Sequence, residues 1–298
     1  MTENNNIIDS NYNGIVVIRA KNALFNAGFD GLPRTLPSGQ IFATDKAFKY
    51  CIREYLRLFK NENIFVSRHR HIIADKNGKK YGYDTLEQNY EFKLNKKIPT
   101  NNDEEIMNDL KSFVDIRLFG IVFALKFKSN SDASSNISFT GPVQINYGLD
   151  QFEDDNGKII STSILSPYSD KKPVQTTIGN QNRVSEAYYV YDVSVNKANA
   201  EKTGLTESDL DLLKEALKYS VNAITSNTKF GCDIVSNLWF KNKENKIYNN
   251  LNQLVNISKD EKGIINIDYS KVLKHINLTR DDVEIYNLDK TLFMEKLE

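Results

Sequence analysis

The chain is poor in the residues that build disulfide or metal-based scaffolds. It has two cysteines, Cys51 and Cys232, three histidines and one tryptophan among 298 residues. We expect buried thiols in a reduced, cytosolic protein rather than a disulfide. His275 and the two cysteines lie far apart without ligand spacing, so the sequence predicts no metal site and no cofactor.

Long apolar runs are also missing. No stretch approaches the ~20 apolar residues that span a bilayer. The polar, Asn-rich residues 1–13 lack the basic and apolar regions of a signal peptide, so we expect a cytoplasmic protein without a membrane segment. No repeat or low-complexity linker interrupts the chain, and its 40% hydrophobic and 26% charged content is typical of globular proteins.

The formal net charge is zero, because 39 basic residues balance 39 acidic residues. A neutral chain is not a simple nucleic-acid coat. The charge is unevenly distributed, however, since residues 46–80 are basic while residues 150–155 and 281–298 lean acidic. Such a chain can offer a basic face to phosphate, and it could also stack head to tail through faces of opposite charge.

The order of the predicted elements indicates the fold class. Strands are predicted at 14–20, 117–128, 137–147, 187–195 and 234–240, with helices after Thr44 and Thr206. The second helix begins with Thr206 followed three residues later by Asp209, a capping pattern, and its apolar face reaches Ile224. We therefore predict an α+β protein with a modified RRM-like, or ferredoxin-like, βαββαβ core and an antiparallel sheet.

We predict a single elaborated domain over residues 1–298. The expected core is about 14–60, 103–159 and 187–245, with an insertion at about 61–102, a protruding hairpin at about 160–186 and a C-terminal extension at about 246–298. We interpret the insertion as a segment that extends away from the core, such as a β-ribbon. The three tyrosines of the strand at 187–195 fit either an open sheet face or the core.

The first helix carries two stripes. One is apolar and consists of Phe48, Cys51, Ile52, Tyr55, Leu56 and Phe59. The other is basic and consists of Lys46, Lys49, Arg53, Arg57 and Lys60. From the pattern alone, the basic stripe fits a solvated face as well as a binding surface.

Several short motifs carry a family resemblance when taken in order. They are Ala-Lys-Asn-Ala at 20–23, Gly-Gln-Ile-Phe-Ala-Thr-Asp at 39–45, Ile-Arg-Glu-Tyr-Leu at 52–56, Val-Asp-Ile-Arg-Leu-Phe-Gly at 114–120 and Thr-Gly-Pro-Val-Gln-Ile at 140–145. Together they resemble the backbone subunit of the CRISPR type I-B Cascade surveillance complex, in the Hmari-type branch of the RAMP superfamily. The likeness spans roughly residues 14–245. Members of this family usually have Asn-Pro-Asn-Gly-Asp directly after the Lys-Asn-Ala step. Residues 24–30 depart from that pattern, because only Asn26 aligns with it.

This resemblance implies a non-catalytic RNA-binding protein. Copies of such a subunit stack head to tail into a helical filament along the CRISPR RNA, and a β-hairpin thumb from each copy kinks the RNA. The spacer stays free to pair with target DNA. The implied partners are the CRISPR RNA, target DNA by way of the guide, other copies of the chain and other Cascade subunits, with no membrane and no cofactor.

Spacers differ in sequence, so the protein must hold phosphate and ribose rather than base edges. On this basis we expect RNA-backbone contacts from Lys21, Asn22, Lys46, Lys49, Arg53, Arg117 and Gln144. Further contacts are expected from the insertion and from the thumb hairpin at about 160–186. They are Arg68 and Arg70 in the insertion, and Lys171, Lys172 and Arg183 in the thumb, with Ile178 and Gly179 near its turning region. Arg117 fits an ion pair with Asp115 or a neighbouring helix equally well.

Two other functions are carried as alternatives. The first is a RAMP-type RNA endonuclease, which would use His69 and His71 as acid and base, or Asp30 in the loop. The second is a generic single-stranded RNA-binding protein, which would expose aromatic residues on its sheet and form no ordered filament.

Overall fold

The computed structural model describes residues 6–67, 70–75, 78–99, 102–126, 134–152, 158–166 and 177–287. Its strands are β1 (Tyr12–Ala23), β2 (Phe42–Ala43), β3 (Arg70–Asp75), β4 (Gly78–Tyr83), β5 (Gly120–Lys126), β6 (Ser134–Thr140), β7 (Val143–Ile145), β8 (Gly148–Asp150), β9 (Ile159–Ser166), β10 (Thr177–Val195), β11 (Cys232–Lys241), β12 (Asn256–Lys259), β13 (Ile265–Asp268) and β14 (Glu284–Asn287). Its α-helices are α1 (Asp45–Phe59), α2 (Leu86–Leu94), α3 (Asp103–Lys111), α4 (Val114–Phe119), α5 (Lys197–Thr203), α6 (Glu207–Tyr219) and α7 (Ser270–Ile276). Short 3-10 helices lie at Lys243–Asn245, Leu251–Leu254 and Arg280–Asp282.

The chain divides into two compact units. The first unit comprises Met1–Asn11, Arg53–Gln144 and Val195–Lys214. The second unit comprises Tyr12–Ile52, Ile145–Ser194 and Glu215–Glu298. Each unit is therefore assembled from separate stretches of sequence.

The second unit contains a large antiparallel sheet, which confirms the predicted α+β class. Its strands run in the order β14-β11-β1-β10-β8-β2, and β9 also pairs with β10. Within this path, β11-β1-β10-β8 is the order expected of a βαββαβ core. Strand β1 is central, and it pairs with β11 over nine residues that begin with Tyr12 opposite Lys241.

One face of this sheet is covered by the C-terminal segment. Side chains of β1, β10 and β11, including Ile15, Tyr188 and Leu238, form one buried cluster with Leu251, Ile257, Tyr269 and Val272. On the other face, the buried rings of Phe48 in α1 and Tyr191 lie 5.0 Å apart between centroids. Tyr188, Tyr189 and Tyr191 are all buried, so these tyrosines belong to the core and form no open aromatic platform.

The first unit has its own apolar core. It is formed by Phe65, Tyr90, Ile98, Ile106, Leu110, Phe113, Ile116, Phe123 and Ile137. The predicted ribbon in the insertion is present as the antiparallel pair β3-β4, with Arg70 opposite Tyr83. The same insertion also forms α2, which begins at a Thr85 capping box and buries Tyr90 fully in the core.

The strand predicted at 117–128 begins only at Gly120, because residues 114–119 form helix α4. Gly120 has φ +71°, and a Cβ on it would lie 2.3 Å from the backbone nitrogen of Gly141. A Cβ on Gly141 would lie 2.1 Å from the carbonyl carbon of Phe119. The motifs at 114–120 and 140–145, the two central motifs of the resemblance, are therefore in direct backbone contact through these glycines, and only glycine fits either position.

The second predicted helix is confirmed at its start. The Asp209 backbone N–H donates to Thr206 Oγ1 at 3.2 Å, and the Thr206 N–H donates to Asp209 Oδ2 at 3.1 Å. This reciprocal arrangement satisfies two N–H groups at the start of α6. The helix ends at Tyr219, so it is shorter than the apolar pattern to Ile224 suggested.

The predicted hairpin at 160–186 is present in its described part. Strands β9 and β10 pair antiparallel from Val184 opposite Ile159 to Thr177 opposite Ser166. Residues 167–176, which connect the two strands, lie outside the described residues. Ile178 and Gly179 are strand residues, one and two steps from the end of the described ladder.

Both cysteines are buried and free, as expected. Burial raises the pKa of the Cys232 thiol to about 12. Such a thiol is not ionised near neutral pH and is a weak nucleophile. Among the described helices, none is long and apolar enough to cross a membrane.

Candidate nucleic-acid interface

The end of β1 forms one wall of a cleft in the second unit. Lys21 and Asn22 are exposed there, immediately before the buried Ala23. Asn22 adopts a left-handed conformation with φ 49°, which asparagine tolerates better than most residues. This turn of the backbone leaves the Asn22 carbonyl oxygen available to a side chain from another strand.

The loop between α6 and β11 forms the opposite wall. The Lys21 N–H donates to Gly231 O at 2.8 Å, and the Leu24 N–H donates to Thr228 O at 2.7 Å. A Cβ on Gly231 would lie 2.1 Å from the carbonyl oxygen of Lys21, so this close approach requires glycine. The two walls are therefore joined by backbone hydrogen bonds.

Arg183 of β10 joins the walls from the base of the hairpin. Its Nη1 donates to Asn22 O at 2.9 Å, and its Nη2 donates to Asn227 Oδ1. The guanidinium group thus holds the turn after β1 and the loop before β11 together. It also brings a fixed positive charge to the cleft.

The resulting cavity has a volume of about 550 Å³ and is lined by Lys21, Asn22, Arg183, Phe230, Gly231 and residues 225–227. None of the described residues that line it carries a carboxylate. Two cations, amide groups and hydroxyl groups face one opening, which suits an anionic, hydrogen-bonding ligand such as a nucleotide. The structure therefore brings together three predicted contact residues that are far apart in the sequence.

The basic stripe of α1 presents its cations unequally. The Lys46 side chain is 84% exposed, whereas the Lys49 side chain is 15% exposed and lies 3.3 Å from Asp45 Oδ2. The Arg57 guanidinium donates to both carboxylate oxygens of Glu54. Of these three side chains, that of Lys46 is the most exposed, and its Nζ lies 3.9 Å from Asp45 Oδ1.

Arg53 points into the first unit. Its Nε donates to Asp115 Oδ2 at 3.0 Å, and its guanidinium carbon lies 4.9 Å from the centroid of the Phe119 ring. Asp115 also accepts the backbone N–H groups of Phe65 at 2.8 Å and Val66 at 3.0 Å. Asp115 is fully buried, so Arg53 neutralises a carboxylate that has no access to water.

Arg117 pairs with α6 rather than with Asp115. Its Nε and Nη2 donate to the two carboxylate oxygens of Asp209 at 2.8 and 2.6 Å. Its Nη1 donates to the carbonyl oxygens of Lys111 and Ser112. The hydrogen bond to Asp209 raises the pKa of Arg117. The predicted ion pair with a neighbouring helix is therefore present.

Gln144 is exposed on β7 and donates from Nε2 to Gly141 O at 2.8 Å. Arg70 lies in β3, and Ile178 and Gly179 lie in β10. Arg68, Lys171, Lys172 and His69 lie outside the described residues. No group of three His, Cys, Asp or Glu side chains in the described part of the chain is placed to hold a metal ion.

The loop that departs from the family pattern is ordered by its own side chains. Asn26 Oδ1 accepts both the backbone N–H and the hydroxyl of Thr44, at 3.0 and 3.1 Å. Asp30 Oδ1 accepts the Leu32 N–H at 3.0 Å within the same turn. Phe29, at the tip, is fully exposed. The loop is thus tied to the start of α1 through the one asparagine that remains in register.

Sequence reasoning missed the contribution of residues 225–227 and Phe230 to the cleft. The available signal was a phenylalanine next to glycine at the end of the polar stretch Thr-Ser-Asn-Thr-Lys at 225–229. An aromatic residue in such a segment, outside any apolar period, indicates a surface role. Phe230 is 83% exposed.

Comparison with known proteins extends these observations. The chain resembles a chain from a solved structure titled "CRISPR RNA-guided surveillance complex, pre-nicking", with a TM-score of 0.53, 11% identity and coverage of 94% of this chain and 93% of that chain. A chain titled "CRISPR RNA-guided surveillance complex" is 11% identical over 80% of this chain and 72% of that chain, with a TM-score of 0.44. No curated protein matches the chain.

At such low identity, the likeness to the first of these chains shows a shared fold and no more. The sequence itself matches the family model described as "CRISPR-associated protein Cas7" over residues 10–279. That match takes in both central motifs, the cleft and most of the C-terminal segment. The chain therefore belongs to the CRISPR-associated protein Cas7 family.

Proposed function

We propose that this chain is a non-catalytic backbone subunit that binds the guide RNA of a CRISPR surveillance complex. The observation that carries the proposal is the cleft at the end of β1. There, Lys21, Asn22 and Arg183 converge with no carboxylate among the described lining residues. Phosphate contacts of this kind hold a single strand without reading its sequence.

The structure also supports a position for the RNA away from the sheet face. An RNA recognition motif binds through aromatic residues on its open sheet. Here Tyr188, Tyr189 and Tyr191 are buried, and the C-terminal segment covers one face. This favours the family role over a generic RNA-binding protein that stacks bases on its sheet.

The finer assignment follows the family resemblance. We propose a type I-B complex of the cytoplasm, in which copies of the chain stack head to tail along the guide. The β9-β10 hairpin acts as the thumb, and Arg183 at its base couples the thumb to the RNA site. The spacer then remains free to pair with target DNA, and other Cascade subunits cap the filament.

Within this proposal, six of the predicted contact residues divide into two groups. Lys21, Asn22, Lys46 and Arg183 contact the RNA backbone. Arg53 and Arg117 stabilise the fold, because their guanidinium groups are committed to Asp115 and Asp209. The Asp30 carboxylate is likewise engaged by the Leu32 N–H, which does not favour a catalytic role.

The test is binding of labelled single-stranded RNA by fluorescence anisotropy over a salt series, for the wild type and Lys21→Glu. We expect salt-sensitive binding by the wild type. In the variant we expect weaker binding and a slope of log K against log salt that is smaller by about 0.7, the value for one phosphate contact on a single strand. Lys271→Glu is the matched control, since Lys271 is an exposed lysine of α7.

The same samples should be run on a denaturing gel, with and without Mg²⁺. We expect intact RNA in every lane. Cleaved RNA would establish the endonuclease alternative instead. If Lys21→Glu and Lys271→Glu lost RNA affinity equally, the cleft would not be the RNA site.

A further inference from the structure

Phe230 is an exposed aromatic residue whose two neighbours in the chain are held in place by hydrogen bonds. Its side chain is 83% exposed, yet the residues on both sides of it are fixed. Gly231 O accepts the Lys21 N–H, and the Lys229 ammonium donates to Phe25 O and lies 4.3 Å from the centroid of the Phe25 ring. The Cys232 N–H also donates to Lys229 O at 2.8 Å, which closes the turn around Phe230.

The ring of Phe230 lines the same cavity as the two cations. A volume of about 550 Å³ lies within the range of small-ligand pockets. The cavity presents an apolar ring, the charges of Lys21 and Arg183, and the polar side chains of residues 225–227. A nucleotide has the matching parts, because its base stacks on aromatic rings and its phosphate pairs with cations.

We infer that the cleft holds one nucleotide of a bound single strand, with its base stacked on Phe230 and its phosphate facing Lys21 and Arg183. This inference rests on the proposed function. Stacking on a phenylalanine ring tolerates any base, because every base has a π-face. One such platform per chain anchors the strand and leaves the neighbouring bases unstacked and free to pair.

The first test compares Phe230→Ala with Phe29→Ala, which removes another exposed ring from a different loop of the same unit. Anisotropy should show at least about a fivefold loss of RNA affinity for Phe230→Ala, the lower end of the range expected for one stacked base. The salt slope should not change, because no phosphate contact is lost. Phe29→Ala should bind like the wild type.

The second test places a reporter at the platform. The chain has one tryptophan, Trp239, which is buried, so Phe230→Trp adds a single exposed tryptophan that can be excited selectively. RNA should quench this fluorescence, whereas an abasic sugar-phosphate strand of equal length should bind more weakly and quench little. Equal quenching by both strands would overturn the stacking inference.

These outcomes separate the inference from the proposed function. If wild-type chain does not bind RNA, the proposed function and the inference both fail. If binding depends on Lys21 but not on Phe230, the RNA-binding role stands and the platform is refuted. If Phe230→Ala instead prevents self-association, measured by sedimentation without RNA, and RNA does not quench Phe230→Trp, the ring is a subunit contact and the inference is overturned.

Discussion

Arg53 Nε lies 3.0 Å from Oδ2 of the fully buried Asp115, which also accepts two backbone N–H groups. The pair links α1 to the first central motif and to the segment that enters the insertion. Removing the guanidinium leaves a buried carboxylate without its cation. For that reason, Arg53 is a poor position at which to test RNA binding by charge reversal.

We expect Arg53→Ala to lower the free energy of unfolding by roughly 3 kcal/mol, the usual cost of breaking a buried pair. Urea denaturation measures this change. Lys46→Ala is the control on the same helix, and because that side chain is 84% exposed it should change stability by less than about 0.5 kcal/mol. Equal stability of both variants would show that the Asp115 carboxylate does not need Arg53.

Arg117→Lys should be costly although it keeps the charge. Arginine makes two hydrogen bonds to Asp209 and two to backbone carbonyl groups, and a single ammonium cannot reproduce this fork. We expect a loss of about 2 kcal/mol in urea unfolding. Arg280→Lys, at an exposed position, should be near neutral. If Arg117→Lys left the free energy of unfolding unchanged, the positive charge alone would be sufficient for stability at this position.

Asp192 should make the stability of the protein depend on pH. Burial raises its pKa to about 6, although backbone N–H groups of residues 250–252 oppose the shift. Because the pKa in the folded state lies above its unfolded value, the contribution of this group is full below pH ~4 and is lost as the pH rises through about 6.

Asp192→Asn removes this titration. The difference in unfolding free energy, variant minus wild type, should therefore rise by about 3 kcal/mol between pH 4 and pH 7, since each pKa unit corresponds to about 1.4 kcal/mol. Urea titrations at several pH values measure it. A difference that stays constant with pH would contradict the raised pKa.

Gly231→Ala should disturb the RNA cleft through the backbone. Its Cβ would lie 2.1 Å from the Lys21 carbonyl oxygen, so the loop before β11 must move away from the end of β1. We expect a loss of roughly 1–3 kcal/mol in thermal or urea unfolding, with weaker RNA binding. Phe230→Ala, one residue earlier, should leave stability nearly unchanged, and a stable Gly231→Ala would refute the close approach.

The elements that could be predicted were those with a strong local pattern. The apolar stripe of α1, the Thr206 cap of α6 and the alternation in β10 each arise from neighbouring residues, and each is present. Residues 117–119 were predicted as the start of a strand because they run directly into the apolar stretch that follows, but they are the last residues of helix α4. A short apolar run cannot be assigned to a strand or to a buried helix by its pattern alone.

The site was only partly predictable for a different reason. Lys21 and Asn22 belong to a motif, but Arg183 and Phe230 meet them from distant parts of the chain. Whether a basic residue faces solvent depends on the acid beside it, and Asp115 and Asp209 lie 62 and 92 residues from the arginines that they pair with. No periodicity in the sequence predicts ion pairs between residues that are so far apart.

The position of β1 has a consequence for how the protein is made. Its two neighbours in the sheet, β10 and β11, begin at Thr177 and Cys232, so β1 cannot complete its pairing until synthesis has passed β11. Pairing over such sequence distances is slow to nucleate. The cleft proposed to hold RNA needs the same strands and the loop that ends at Gly231. A nascent chain therefore has no complete cleft until synthesis has passed β11.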